Sequence, residues 1–203
     1  DGAWNVFVGN GQSLVLGNQS ARIVARRDAL DPSRLTIAYQ AGSTTSDLSS
    51  TISGGSLGGL LDFRRELLDP VRNQLGQIAI AVATTVNVQQ REGMDLYGNL
   101  GTDLFAVGPV GVQASSGNTG SGTVSVTRTS LGALTTNDYI LEFSGSAWTA
   151  RRADSGAPVA LAGAGTVASP FVADGLSFVV GGAPAAGDSF KITPTAGAID
   201  GMS

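Results

Sequence analysis

Residues 68–86 read LDPVRNQLGQIAIAVATTV, and this stretch decides how the rest of the chain is interpreted. Large apolar side chains recur in it at every third or fourth position, the spacing that places them on one face of an α-helix. We call this row the apolar seam, and its members are Leu68, Val71, Leu75, Ile78, Val82 and Val86. Because Asp69 suits an N-cap and Pro70 a first helical position, a helix is predicted to start, or an earlier one to kink, at Pro70. We expect it to end near Gly93.

A seam of this quality requires a partner helix, and the chain contains no second helical pattern of equal length. A shorter apolar face precedes the seam, formed by Leu60, Leu61, Phe63, Leu67 and Leu68. We therefore expect the partner to lie in sequence outside this chain. The chain also begins at Asp1 without an initiator methionine or a signal peptide, which favours a piece of a longer protein.

Short strands are predicted on both sides of the helix. Residues 1–40 alternate apolar and polar side chains, and Asn10-Gly11 is a strong β-hairpin turn. The polar stretch that follows offers Ser46 or Asp47 as the cap of a short helix, and residues 94–106 form a glycine-punctuated loop. Further strands are expected at residues 110–113, 123–127, 139–143, 148–152, 159–161, 176–180 and 190–192.

These patterns predict an α+β fold in three parts. Residues 1–106 are expected to form a β-hairpin and helix domain of rod-like shape. Residues 107–196 are expected to form an outer, mainly antiparallel β domain of sandwich- or barrel-like type. Residues 197–203 are expected to return toward the first domain.

Composition removes many kinds of chemistry. The 203 residues include no cysteine and no histidine, which excludes thiolate nucleophiles, disulfides, Cys/His zinc sites and imidazole-based serine triads. A net charge of −4, with a single lysine at Lys191, argues against nucleic-acid binding. The longest apolar run on a helical pattern, residues 78–83, is too short to span a membrane. Low lysine, low charge and the absence of cysteine favour an exported, extracellular protein.

Four groups of residues are candidates for a site, and each has a simpler structural interpretation. Asp95, Asn99 and Asp103 could hold calcium, although their spacing is not that of an EF-hand and a tight turn explains them. Carboxylates at Asp62, Glu66 and Asp69 could form a glycosidase pair, but Arg65 and Arg72 lie at ion-pairing distances along the helix.

The glycine-rich residues 54–59 could bind an anion at a helix N-terminus, but they lack a phosphate-loop ending and suit a flexible joint better. Tyr139 and Trp148 could stack on sugars, while aromatic side chains in strands more often pack into a core. Trp148 and the outer β domain support the alternative function, an extracellular carbohydrate- or host-binding β module. We predict no catalytic, cofactor-binding or metal-binding residue.

Several segments of the chain resemble the flagellar hook-associated protein 1 family. The resemblance is most specific over residues 53–105 and looser over 107–186. Its motifs are SGGSLGGLLDFR (53–64), LDP (68–70), NQLG (73–76), GMDLYGNLGTDLF (93–105), the hairpin NGQSLV (10–15) and GDSFKITP (187–194).

The resemblance implies a structural, non-enzymatic subunit that joins the flagellar hook to the filament outside the cell. It implies terminal helices that form the inner shell of a tube, with β-rich domains facing outward. The implied partners are the hook protein, the second hook–filament junction protein and further copies of the full-length protein. The family's long terminal helices are absent from this chain, so we expect the chain itself to be monomeric.

Overall fold

A computed structural model describes residues 4–9 and 11–198 of the chain. The chain divides into two compact units, Asp1–Leu68 and Asp69–Ser203. Helices combine with several antiparallel sheets, which confirms the predicted α+β class. The two units are considered one at a time.

The first unit begins with two small antiparallel sheets. One contains β1 (Val6–Val8), β2 (Gln12–Leu16) and β3 (Gln19–Ser20), and the other contains β4 (Arg22–Arg27), β5 (Leu35–Ala41) and β6 (Thr44–Asp47). The predicted first hairpin is confirmed, because Val8 pairs with Gln12 across a turn in which Gly11 has φ +88°. Asn10 of that turn lies outside the described residues.

The short helix predicted near Ser46 or Asp47 is wrong. Both residues lie in β6, which pairs antiparallel with β5 through Tyr39↔Ser46 and Ala38↔Asp47. β-Branched Thr44 favours an extended backbone there, and pairing with an existing strand outweighs the local capping tendency of serine and aspartate.

The helical part of the first unit consists of α1 (Gly55–Phe63) followed by a π-helical segment, Arg64–Leu68. The second unit opens with α2 (Asp69–Glu92), a helix of 24 residues. The predicted start at Asp69-Pro70 and end near Gly93 are therefore confirmed. Pro70 is the second residue of α2, and the backbone changes from a π-helical to an α-helical pattern directly before Asp69.

The remainder of the second unit is a two-sheet β structure. Its five-stranded sheet has the order β11-β10-β9-β14-β7, and its three-stranded sheet has the order β12-β13-β8, with all neighbours antiparallel. The strands are β7 (Gly111–Ala114), β8 (Thr123–Arg128), β9 (Tyr139–Phe143), β10 (Trp148–Arg152), β11 (Pro158–Val159), β12 (Phe171–Ala173), β13 (Leu176–Gly181) and β14 (Ser189–Thr193).

Both sheets contribute to one hydrophobic core. Leu141 and Ile192 enter it from the five-stranded sheet, and Leu176 and Phe178 enter it from the three-stranded sheet. Ile80 of α2 belongs to the same cluster of buried residues. The β structure and α2 therefore share a core, and this shared core fixes which face of the helix is hidden.

Predicted and observed strands agree closely in this unit. β9 and β10 coincide residue for residue with the predictions, and the ends of the other predicted strands differ from the observed ends by at most two residues. The strand β12 (Phe171–Ala173) was not predicted, because it has only three residues and follows directly on Pro170. The turn after it places Asp174 at φ +47° before Gly175.

Candidate assembly surface on helix α2

One face of α2 is buried by the rest of its own unit. Its members recur at intervals of three and four residues, and they are Asn73, Gly76, Ile80, Ala83 and Asn87. Only Ile80 among them has a large apolar side chain. The others are small or carry an amide, so this face is suited to close backbone approach and to hydrogen bonds.

Amide side chains fasten α2 to the segment between β8 and β9. Asn73 Nδ2 donates to the carbonyl of Thr136 at 2.9 Å and to Asp138 Oδ1 at 3.2 Å. One turn further along, Gln77 Nε2 donates to the carbonyl of Leu134 at 2.7 Å. Asn73 is 93 % buried, so these bonds satisfy a polar group that water does not reach.

Gly76 is the point of closest approach on this face. A Cβ atom at Gly76 would collide with the backbone carbonyl of Thr195, next to the short 3₁₀ turn Ala196–Ala198. Ala198 is completely buried against this part of the helix. The absence of a side chain at Gly76 therefore lets the chain after β14 pack directly onto α2.

Near the C-terminal end of α2, Asn87 binds the following loop to the helix through hydrogen bonds. Its Oδ1 accepts hydrogen bonds from the backbone N–H groups of Leu104 and Phe105, both at 2.9 Å. Its Nδ2 donates to the carbonyl of Phe105 at 2.8 Å. The loop after the helix is thereby pinned back onto it.

The opposite face of α2 carries the apolar seam, and it is exposed. The five seam residues within α2 are between 36 % and 60 % exposed, and they are Val71, Leu75, Ile78, Val82 and Val86. At 100° per residue, this row lies about 140° around the helix from the buried row. No charged residue occurs between Arg72 and Arg91. A helix face this long, apolar and uncharged is typical of a protein–protein interface.

A cavity of about 260 Å³ lies beside the seam, between α2 and the 3₁₀ turn Leu131–Ala133. It is lined by Gln77, Ile78, Ile80, Ala81, Leu131 and Leu134. Ile78 belongs to the exposed seam and Ile80 to the buried face, so the cavity opens where the core meets the seam.

The loop after α2 presents a second apolar surface that the sequence analysis missed. We call residues 94–104 the Tyr97 turn. Its large apolar side chains are more than half exposed, and they are Met94, Leu96, Tyr97, Leu100 and Leu104. The sequence signal was available, since five large apolar residues in a glycine-punctuated loop are unusual for a solvated turn.

Hydrogen bonds hold the Tyr97 turn in one conformation. Asp95 Oδ1 accepts from the backbone N–H groups of Tyr97 and Asn99, each at 2.8 Å, and Asp95 Oδ2 accepts from Asn99 Nδ2 at 2.9 Å. The Asn99 amide and these backbone groups lower the pKa of the Asp95 carboxyl. Asp103 pairs with Arg91 Nε at 2.8 Å.

The calcium candidate is thus organised as a turn. Both carboxylate oxygens of Asp95 accept hydrogen bonds from nearby N–H groups, and Asp103 forms an ion pair with Arg91. Within residues 4–9 and 11–198, no three acidic, histidine or cysteine side chains are grouped so that they could hold a metal ion. The turn interpretation made from the sequence accounts for these residues.

The helical carboxylates also take the simpler interpretation. Arg65 Nη2 contacts Asp62 Oδ1 at 2.7 Å and Glu66 Oε1 at 3.4 Å, on an exposed face of the first unit. Asp69 is the first residue of α2 and belongs to the second unit. Arg65 therefore neutralises two of the three carboxylates considered for a glycosidase pair.

The glycine-rich segment differs from the expected joint. Its residues from Gly55 onward lie within α1, and the N–H of Gly58 donates to the carbonyl of Gly54 at 3.2 Å. Gly58 is buried against the backbone of Ser53, where a Cβ atom would be about 2.8 Å from a carbonyl carbon. Close packing, and not flexibility, explains a glycine at this position.

The two aromatic residues considered for sugar stacking pack inside the β structure. Tyr139 is 1 % exposed, its hydroxyl lies between Thr135 Oγ1 and Asp174 Oδ2 at 2.7 Å from each, and burial raises its pKa to about 12. The Trp148 ring lies 5.1 Å from Phe143 and 6.0 Å from Phe190, centroid to centroid. The packing interpretation is confirmed for both residues.

Comparison with known proteins assigns a class to this arrangement. Residues 1–105 match the family model of the flagellar hook-associated protein FlgK helical domain, and residues 113–194 match that of the flagellar hook-associated protein 1, D2-like domain. Both models describe parts of hook-associated proteins of the bacterial flagellum. In the described part of the chain, no helix is both long enough and apolar enough to cross a membrane.

Similar whole proteins agree with the family models. The chain is 35 % identical to flagellar hook-associated protein 1 of Escherichia coli K12 over 99 % of its own length, and 35 % identical to that of Salmonella typhimurium, also over 99 %. It matches the structure of the flagellar hook junction protein FlgK from Burkholderia pseudomallei at 40 % identity, with a TM-score of 0.87 over 98 % of the chain.

The chain belongs to the flagellar hook-associated protein 1 family. It covers 37 % of the Escherichia coli and Burkholderia pseudomallei proteins and 36 % of the Salmonella typhimurium one. The resemblance drawn from the sequence motifs is confirmed.

Proposed function

We propose that the protein carrying this chain is a structural subunit of the bacterial flagellum that joins the hook to the filament. Family membership supports the role, and the exposed apolar seam of α2 is the structural observation that carries it. Five large side chains at helical spacing provide a surface for a packed helix. A subunit that transmits torque between two tubes needs contacts of this type, because they are rigid and continuous.

The proposed partners are the hook protein, the second hook–filament junction protein and further copies of the same protein. The proposed location is the extracellular flagellum, which a protein reaches by export. The low charge and the absence of cysteine suit such a location. We also propose that the chain has no catalytic activity, which agrees with the ion-paired or turn-bound state of the carboxylates considered for a site.

A functional division near residue 106 accompanies this proposal. Residues 1–106 would act as the rod-forming part, 107–196 as the outer β part and 197–203 as the return segment. The two family models, which meet between residues 105 and 113, support the division. Of the return segment, only residues 197 and 198 are among the described residues.

A null strain provides the first test. Without the intact protein, electron microscopy should show hooks that lack filaments. Exported filament subunits that have not assembled should accumulate in the medium. Filaments that attach normally to the hook in this strain would refute the proposed role.

Complementation with matched variants tests the seam itself. Val82 and Val88 are both about half exposed on α2, but only Val82 belongs to the seam. Val82→Asp should strongly reduce the number of filament-bearing hooks, since a charge would be buried in the helix interface. Val88→Asp is the control and should retain filaments. Equal behaviour of the two variants would show that the seam is not the assembly surface.

A further inference from the structure

The chain enters the two-sheet β structure and leaves it at the same end. It enters through residues 107–110, which lead into β7, and it leaves through residues 194 and 195, which follow β14. We call these the entry segment and the exit segment. β7 and β14 are neighbouring antiparallel strands, and Gly111 at the start of β7 pairs with Thr193 at the end of β14. The two segments therefore begin side by side at one end of this ladder.

This arrangement of the two strands is mechanically weak by itself. A force that pulls the entry and exit segments apart acts first on the Gly111↔Thr193 pair and then on the Val112↔Ile192 pair. The ladder is thus loaded one pair at a time, and a single backbone hydrogen bond contributes little net free energy. Without a further connection, β7 would peel away from β14 under such a force.

Arg128, the last residue of β8, connects the two segments. Its Nε donates to the carbonyl of Pro194 at 2.9 Å, and its Nη1 donates to the carbonyl of Gly108 at 2.7 Å. Its Nη2 lies 3.4 Å from the carbonyl oxygen of Pro109. One planar guanidinium therefore binds the entry segment and the exit segment at the same time, directly beside the end of the ladder.

The donors of Arg128 serve backbone carbonyls and not an acidic side chain. Within residues 4–9 and 11–198, no carboxylate forms an ion pair with Arg128. An arginine keeps its charge in proteins, and hydrogen bonds from a charged donor are roughly twice as strong as those between neutral groups. A lysine presents its donors from one compact ammonium, so it does not reproduce the spread of the guanidinium.

We propose that Arg128 is a mechanical clamp that holds the entry and exit segments together when a force pulls them apart. The inference rests on the proposed function, because a joint between hook and filament transmits load. The clamp passes part of this force to β8, which pairs with β13 over six residues from Thr123 to Arg128. Arg128 is therefore a positioning residue, and its effect on unfolding depends on the direction of the load.

Optical tweezers applied to the intact protein test the clamp. The chain contains no cysteine, so DNA handles can be attached at two introduced thiols once any cysteine outside the chain has been replaced. Ala106→Cys with Gly197→Cys loads the two segments directly, and a Cβ atom at Gly197 meets nothing within 4 Å. In this geometry, Arg128→Met should make the β structure unfold about tenfold faster at the same force, because the charge-assisted bonds to both segments are lost. Arg128→Lys should give a smaller increase.

Two controls separate the clamp from a general effect on stability. Arg151→Met is the matched variant, because Arg151 is an exposed arginine of the same β structure, on β10, and it should leave the unfolding rate unchanged. Handles at Ser146→Cys and Ser155→Cys load β10 from its two ends and not the entry and exit segments. In that geometry, Arg128→Met should change the unfolding rate far less.

Each outcome decides for or against the clamp. Unfolding of Arg128→Met at the wild-type rate in the first geometry overturns the inference. An equal acceleration in both geometries also overturns it, because Arg128 would then add general stability and not resist a particular load. If Arg128→Met does not fold, Arg128→Lys provides the same comparison. The tweezers report on the clamp whatever the null strain shows, so failure of this inference and failure of the proposed function are distinguishable.

Discussion

Ile78 and Ile80 lie two residues apart on α2 and face opposite environments. Ile80 is 2 % exposed and belongs to the core shared with the β structure, whereas Ile78 is 60 % exposed and belongs to the apolar seam. The helix therefore has one face that the chain buries and another, continuously apolar face that the chain leaves exposed. The exposed face is the one that we propose for assembly.

Substituting each of these two residues should show which face of α2 contributes to the free energy of unfolding. Ile80→Ala should lower the free energy of unfolding by about 2–5 kcal/mol, because it leaves a cavity in the core. Ile78→Ala should change it by only about 0.5 kcal/mol, as expected for an exposed position. Leu75→Ala, in the same seam, should behave like Ile78→Ala. Denaturant unfolding of the three variants provides the measurement, and a large loss from Ile78→Ala would mean that the seam is buried in the isolated chain.

Gly76 should be intolerant of alanine even though alanine favours a helix. A methyl group there meets the carbonyl of Thr195, so Gly76→Ala should destabilise the second unit by about 1–3 kcal/mol. Gly59 in α1 is the control, because a Cβ atom there meets nothing within 4 Å. Gly59→Ala should stabilise its helix by about 0.5–1 kcal/mol. Thermal melting of both variants tests the predicted loss of stability for Gly76→Ala and the predicted gain for Gly59→Ala.

The Asn87 side chain should determine how firmly the Tyr97 turn is held. Asn87→Ala leaves the N–H groups of Leu104 and Phe105 without their acceptor, at a cost of about 1–3 kcal/mol. Hydrogen–deuterium exchange should accelerate at these two amides. Gln89→Ala, at an exposed position two residues away, should leave their exchange unchanged. If Asn87→Ala also leaves it unchanged, the turn is held by other contacts.

Stability at acidic pH should depend on Asp188. This carboxylate is 2 % exposed and accepts hydrogen bonds from the N–H groups of Ala185, Thr119 and Gly120, which lower its pKa below the ordinary value. Its contribution is therefore complete above the unfolded pKa of about 3.9 and is lost as the pH falls through the lower folded value. Melting temperatures of the wild type and Asp188→Asn should differ at pH 7 and converge below about pH 4. A difference that persists unchanged in acid would contradict this role.

Local patterns predicted most of the secondary structure correctly. The α2 boundary at Asp69-Pro70, the first hairpin and the strands β9 and β10 follow from the proline position, turn chemistry and alternation, which depend on neighbouring residues only. The failures occurred where distant contacts overrode local preference. Strand β6 replaced an expected helix cap because β5 was available to pair with it. Gly58 of α1 is explained by packing against Ser53, which no local pattern reveals.

The candidate surface was predicted only in part. The seam was recognised from its spacing, whereas the Tyr97 turn was considered only as a place for calcium. Its importance depends on the exposure of Leu96 and Tyr97 together with the rigidity supplied by Asp95, and exposure is a property of the folded chain. The cavity at Ile78 likewise exists only because the turn at Leu131 lies against the helix.

The sequence by itself determined that α2 forms, where it starts and ends, and that one of its faces is continuously apolar. The tertiary structure alone decided which face the chain buries for itself. It buries the row that contains Asn73, Gly76 and Asn87. Small side chains in this row permit close backbone approach, and the amide side chains form hydrogen bonds with backbone groups of the loops that pack there. Hydrophobic spacing identifies a helix face that is stabilised by burial. It does not show whether the surface that buries this face lies within the chain or outside it.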